Sequence, residues 1–200
     1  MIGTVFFRLL IAGTLVAMAG VALADVKVAV KNKYYNISGR SGAALLDGMD
    51  RSGPKHGFLT RAIAQTRYAV TWEIDWTESG GTCKLRSAKA LLEITYTYPR
   101  VTGPVSAELG RRWNRFFAGV KKHEEIHGKI ARDMVHAAEK AVKGFSTRND
   151  RTCGKSKREV KRRVDEIYAR YEAKQIAFDK NEHRDGGNVE GLVTSLVSRK

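Results

Sequence analysis

The chain has 200 residues, 42% hydrophobic and 28% charged, with three prolines, which excludes a disordered, collagenous or multi-pass membrane protein and makes one domain the default. Its 36 Lys and Arg against 21 Asp and Glu leave a net charge of +15, enough to steer it toward anionic partners. Nucleic acid, a membrane surface and acidic cell-wall polymer all satisfy that sign.

Met1 to Arg8 is a short basic start, Leu9 to Ala22 an apolar run broken only by Gly and Thr, and Ala22-Leu23-Ala24 a small-x-small cleavage site. Residues 1–24 are therefore expected to be a cleaved signal peptide and 25–200 the mature domain, periplasmic or secreted. The apolar run is short for a spanning helix, which needs ~20 residues, so no stable membrane insertion is expected after cleavage. Nor is nucleic acid expected as a partner in that compartment. Cys83 and Cys153 are the two cysteines, outside any metal-ligand spacing, and an oxidising compartment favours their pairing as a disulfide.

From Asp25 to about Arg100 the pattern favours strands. Val26 to Val30 alternates, Tyr34 to Ile37 is β-prone, Tyr68 to Trp76 alternates aromatic and β-branched residues with polar ones, and Leu91 to Tyr98 forms another strand, stopped by Pro99. Ser41 to Met49 suits a short helix ended by the turn Arg51-Ser52-Gly53-Pro54, and Ser79-Gly80-Gly81 suits a hairpin. From Pro104 the period becomes helical: Leu109, Trp113, Phe116 and Val120, then Ile130, Met134 and Ala138, mark one long helix to about Lys143 with Gly144 as its stop.

A second long helix is expected to open at a capping box, Ser156-Lys157-Arg158-Glu159, with Val160, Val164, Ile167, Tyr171 and Phe178 as its seam. Arg158, Lys161, Arg162 and Arg163 crowd its first turns, either to meet an anionic partner or as a solvated face. The expected fold class is α+β: a mostly antiparallel N-terminal sheet with a short helix, then two long C-terminal helices.

On the first long helix stands His123-Glu124-Glu125-Ile126-His127, a match to H-E-x-x-H. Spacing of four puts both imidazoles on one helix face, where their nitrogens can converge on one Zn²⁺ ion, with Glu124 beside it as the catalytic base. Random placement of this composition gives about 0.007 such matches per chain, so chance is a poor explanation. Phe116, Val120, Ala131 and Met134 share the histidines' stripe, which turns the pair inward.

A catalytic zinc needs a third protein ligand. His136 lies on the opposite helix face from His127, and Asp133 about 120° off it, without the glycine turn of the extended motif. The end of the second long helix, Phe178 to Gly187, is the better source. His183 is the expected third ligand, with Asp179, Glu182 and Asp185 as rivals, one of which is also suited to orienting an imidazole. His56 reads as a loop residue.

The order Tyr34-Tyr35 to Gly39, Gly53-Pro54, Thr71-Trp72, Cys83, Thr95 to Pro99, the His123–His127 motif and a late Asp179/His183 segment resembles the bacterial family of predicted secreted zinc-dependent proteases, catalogued as domain of unknown function 922. The resemblance covers nearly all of the mature chain. It implies a zincin-like protein with metal ligands at His123 and His127 and the catalytic acid at Glu124. Zn²⁺ is thus the expected cofactor of a metallopeptidase acting on a peptide or protein substrate, cell-wall-associated substrates included. Tyr168, Tyr171 or a nearby Arg is a candidate transition-state donor, and Leu91 to Tyr98 a candidate edge strand for an extended peptide. The alternatives are a non-catalytic periplasmic module with a structural or vestigial metal, and a peptidoglycan amide hydrolase.

Overall fold

A computed structural model describes residues 25–56 and 60–198; the segment read as a signal peptide lies outside the described residues. Strands β1 (Asp25–Ile37), β4 (Gln65–Ser79) and β5 (Thr82–Val101) form a sheet in the order β1-β5-β4, with α1 (Gly42–Ser52) and a small ladder of β2 (Lys55–His56) and β3 (Thr60–Arg61) between β1 and β4 in sequence. Helix α2 (Ala107–Val142), strand β6 (Ser146–Arg148) and helices α3 (Gly154–His183) and α4 (Asn188–Val197) complete an α+β architecture. Among the described residues, no helix is long and apolar enough to cross a membrane.

Alternation along β5 sets the layers. Leu92, Ile94, Tyr96 and Tyr98 point to one face and are buried with Leu109, Phe116, Val120 and Met134 of α2, and Ile167 of α3. Fully burying each such side chain stabilises the fold by ~1.5–3 kcal/mol, so this face fixes the position of α2 on the sheet. The spacing is tight beside the histidine motif. A Cβ on Gly128 would stand 1.9 Å from the Tyr96 hydroxyl, so only glycine lets helix and strand approach so closely directly after His127.

Several details depart from the pattern the sequence suggests. The sheet is mixed: β4–β5 and β5–β6 are antiparallel, as expected, but β1 pairs parallel with β5 from Asp25↔Lys89 to Ile37↔Val101. The β4–β5 hairpin fills one side of β5, and the chain returning from β1 through α1 leaves the other side to a parallel neighbour. β5 is therefore central, so Leu91 to Tyr98 is no edge strand. Pro99 does not stop β5 either, because β4 begins opposite Thr97 and at Pro99 the strand is paired only with β1. The hairpin itself is as expected, with Gly80 and Gly81 both at positive φ (58° and 78°). Ser41 caps α1 by accepting the Ala44 N–H, and Gly144 follows α2 at φ 72°.

The start of α3 is also built differently. Ser156 lies inside the helix rather than at its cap, and Asp150 accepts the backbone N–H groups of Lys155 (3.2 Å) and Ser156 (2.7 Å) and the Ser156 hydroxyl (2.7 Å). Burial would raise the Asp150 pKa, but these hydrogen bonds outweigh it and hold the carboxyl below its ordinary range. Glu159 turns outward to Arg162 and Arg163, which hold its carboxyl down at about 2. With Lys161 bonded to Asp165 and Arg162 also reaching Glu166, much of the basic cluster is paired within its own helix.

The Cys83–Cys153 disulfide joins the start of β5 to the residue before α3, across 70 positions of sequence. Helix α4, not foreseen in the sequence, closes the bottom of the layer. Leu196 packs on α1 at Gly42, Leu192 packs on α2 at Gly119, and Arg112 donates to the carbonyls of Leu196 and Ser198 at the helix's end.

Candidate metal centre

Helices α2 and α3 run antiparallel, which sets Gln175 and Asp179 of α3 against His127 and His123 of α2. Both histidines are well covered, with side-chain exposures of 7% and 13%, because they continue the inward stripe of Phe116 and Val120. Phe178 stacks on the His123 ring at 4.8 Å between centroids and meets the His127 ring edge-on at 5.0 Å.

The nitrogens converge. His127 Nε2 lies 3.2 Å from His123 Nε2 and 2.9 Å from Asp179 Oδ1, and His123 Nε2 lies 3.3 Å from the same oxygen. Gln175 fixes the tautomer of His127. Its amide NH₂ donates to the His127 carbonyl at 3.2 Å, so its Oε1, 2.5 Å from the ring Nδ1, must accept the Nδ1–H. With Nδ1–H committed to Gln175, the Nε2 side of His127 faces the common point, where it donates to Asp179 and, once deprotonated, can ligate a metal.

His183 stands one helical turn beyond Asp179, with Nε2 3.9 Å from Oδ1 and a side chain 56% exposed. The ligand atoms of His123, Asp179 and His183 all lie within 4.8 Å of one another, a group able to hold a metal ion. Glu182 approaches His123 Nδ1 at 3.6 Å and accepts a hydrogen bond from Asn188 of α4. The His183 and Asp179 alternatives thus occupy one cluster, with Asp179 nearer the paired imidazoles and Glu182 behind one of them. Asp185 is exposed and lies outside it. His136 and Asp133 are bound up elsewhere, beside Glu139 and Lys129 respectively.

Glu124 is buried, and its Oε2 accepts the Thr66 hydroxyl at 2.6 Å across from β4. Burial pushes the Glu124 pKa up, against the lowering effects of the Thr66 hydrogen bond and the two imidazoles. The opposite balance holds at Asp179, where hydrogen bonds from His123 and His127 override burial and keep the carboxyl ionised. His127 is raised because Asp179 and Gln175 outweigh burial, whereas burial and the His123 charge lower His183.

His123, Glu124, His127, Asp179 and His183 line a cleft of about 740 Å³. Its other wall is the stretch from Arg61 to Thr66 with Tyr68, the entry to β4. The two tyrosines weighed as donors are not in that wall: Tyr168 accepts the Trp72 indole N–H at 2.8 Å, and the Tyr171 ring carries the Lys174 ammonium. Tyr68 is the tyrosine that lines the cleft, 3.4 Å from Glu172. Thr66 and Gln175 went unrecognised in the sequence. Gln175 lies four residues before Asp179, on the same α3 face, and that spacing is the signal which could have found it.

The family model described as "Bacterial protein of unknown function (DUF922)" matches residues 32–187. The chain belongs to that family. In this DUF922 protein the match takes in the whole helical cluster from His123 to His183, together with Thr66 and both cysteines. No curated protein and no solved structure matches the chain.

Proposed function

We propose that this DUF922 protein is a secreted zinc-dependent hydrolase that cleaves peptide or related amide bonds. One observation carries the reading: Nε2 of His123, Nε2 of His127 and Oδ1 of Asp179 form a triangle with edges of 2.9 to 3.3 Å beside a buried glutamate in a cleft. Tetrahedral zinc with bonds of ~2.0–2.1 Å sets its ligand atoms ~3.3 Å apart, so these three side chains fit the ion with almost no movement. We therefore assign the third ligand to Asp179, with His183, whose ligand atom groups with those of His123 and Asp179, next nearest.

When bound there, zinc supplies a Lewis acid that makes water acidic near neutral pH and polarises a carbonyl. Glu124 accepts the proton of that water, with Thr66 holding one carboxylate oxygen so that the other faces the reacting groups, and then passes the proton to the leaving amine. Gln175 keeps the His127 ring oriented, and Phe178 covers both rings from the side. The entry to edge strand β4, rather than β5, lies along the cleft where an extended substrate can align.

The disulfide accords with an oxidising compartment, and the apolar start of the chain with export. A net charge of +15 suits an anionic wall as the setting, which keeps peptidoglycan amides beside protein as a substrate class. Glu124→Gln tests the chemistry: it should retain zinc and lose turnover of a casein or peptidoglycan substrate by ~10²-fold or more. Turnover that survives this change at full rate would refute the hydrolytic mechanism.

A further inference from the structure

Resting on the zinc reading above, we propose that His183 is an exchangeable fourth ligand that closes the centre in the resting protein and yields its place to incoming substrate. The geometry supports both halves of this. His183 Nε2 lies 3.9 Å from Asp179 Oδ1, only about 0.6 Å beyond tetrahedral ligand spacing, and its ligand atom is grouped with those of His123 and Asp179 within 4.8 Å. Four residues after Asp179, it stands on the same face of α3, so rotation of its side chain moves the ring toward the set.

Its release is equally built in. His123 and His127 sit in the middle of a 36-residue helix with side-chain exposures of 7% and 13%, whereas His183 is the last residue of α3 and 56% exposed. Gly186, at φ 71°, and Gly187 follow before α4 begins, so the chain just beyond His183 turns where a helix would have continued. His183 also lines the cleft, and its departure leaves an open position facing the space where substrate would enter. In the exchange one metal–nitrogen bond breaks, the imidazole keeps its lone pair, and an incoming oxygen or anion donates its own. Imidazole and water cannot share the position, so hydrolytic chemistry waits on displacement.

The occupancy has a measurable consequence. If His183 holds the position nine-tenths of the time, any other ligand binds about tenfold more weakly than to an open centre. The experiment loads full-length protein and its His183→Ala variant with Co²⁺ and records visible absorption against pH and against thiocyanate. The wild type should give a tetrahedral cobalt spectrum that is flat across neutral pH. His183→Ala should give a spectrum that changes as a water ionises near ~7, and should bind thiocyanate about tenfold or more tightly. Identical pH dependence and thiocyanate affinity in the two proteins would overturn the proposal while leaving the three-ligand centre standing. Failure of the wild type to take up cobalt at all would overturn the centre and this proposal together.

Discussion

Replacing Gln175 by leucine tests how much of the proposed metal centre is held from α3. The change keeps side-chain bulk but removes the acceptor of the His127 Nδ1–H (2.5 Å) and the donor to the His127 carbonyl (3.2 Å). Gln175 is only 8% exposed, so water cannot readily replace either bond, and an orphaned buried donor costs ~1–3 kcal/mol. The imidazole is then free to turn or change tautomer, and loss of such a partner typically weakens metal affinity 10- to 100-fold, or ~1.4–2.8 kcal/mol. Competition for zinc against a fluorescent chelator at neutral pH reads that difference, with circular dichroism confirming an unchanged fold. Gln175→Glu, which keeps an acceptor for Nδ1–H but loses the amide donor, should fall between wild type and Gln175→Leu. If Gln175→Leu binds zinc as tightly as wild type, either His127 is not a ligand or its orientation does not depend on α3.

Opening the disulfide with Cys83→Ala and Cys153→Ala releases a loop of 70 positions and should lower stability by ~4 kcal/mol in the chain-entropy account, read as a shift in urea midpoint. An unchanged midpoint would mean that the Asp150 hydrogen bonds and β6 already pin the start of α3. Asp150 makes a pH prediction. Its folded pKa lies below the ordinary value, so its contribution is present above the ordinary carboxylate range and is lost as pH falls through the folded value. The wild type should therefore lose its stability advantage over Asp150→Ala on acidification below that range, and a difference constant down to strong acid would count against the capping role.

Much of this architecture is legible in residue order because it is local. Helix α2, its inward histidines, its Gly144 stop and the Gly80-Gly81 hairpin follow from periodicity and turn chemistry. Strand direction is not local: alternation in Val26 to Val30 reads the same whether β1 runs parallel or antiparallel to β5, and it is set by the long-range pairing of Asp25–Ile37 with Lys89–Val101. The capping of α3 misled for a related reason. Ser156-x-x-Glu159 matches a capping box, but the buried carboxylate of Asp150 accepts the Ser156 N–H that Glu159 would have taken, and the Ser156 hydroxyl donates to it as well. At the candidate centre, the helix whose end faces the two histidines could be named from the sequence, but which of its side chains, Asp179 or His183, lies nearer to them depends on how deeply α3 sits against α2. Phe178, packed on both imidazole rings, is one side chain that sets that depth.

The most direct test is zinc itself. Elemental analysis and anomalous diffraction on the purified protein should find about one zinc per chain, bound by His123 Nε2, His127 Nε2 and Asp179 Oδ1 at ~2.0–2.2 Å, with Asp179→Ala or His127→Ala losing it. A folded protein that takes up no zinc at neutral pH, or zinc bound away from these three atoms, would contradict the account.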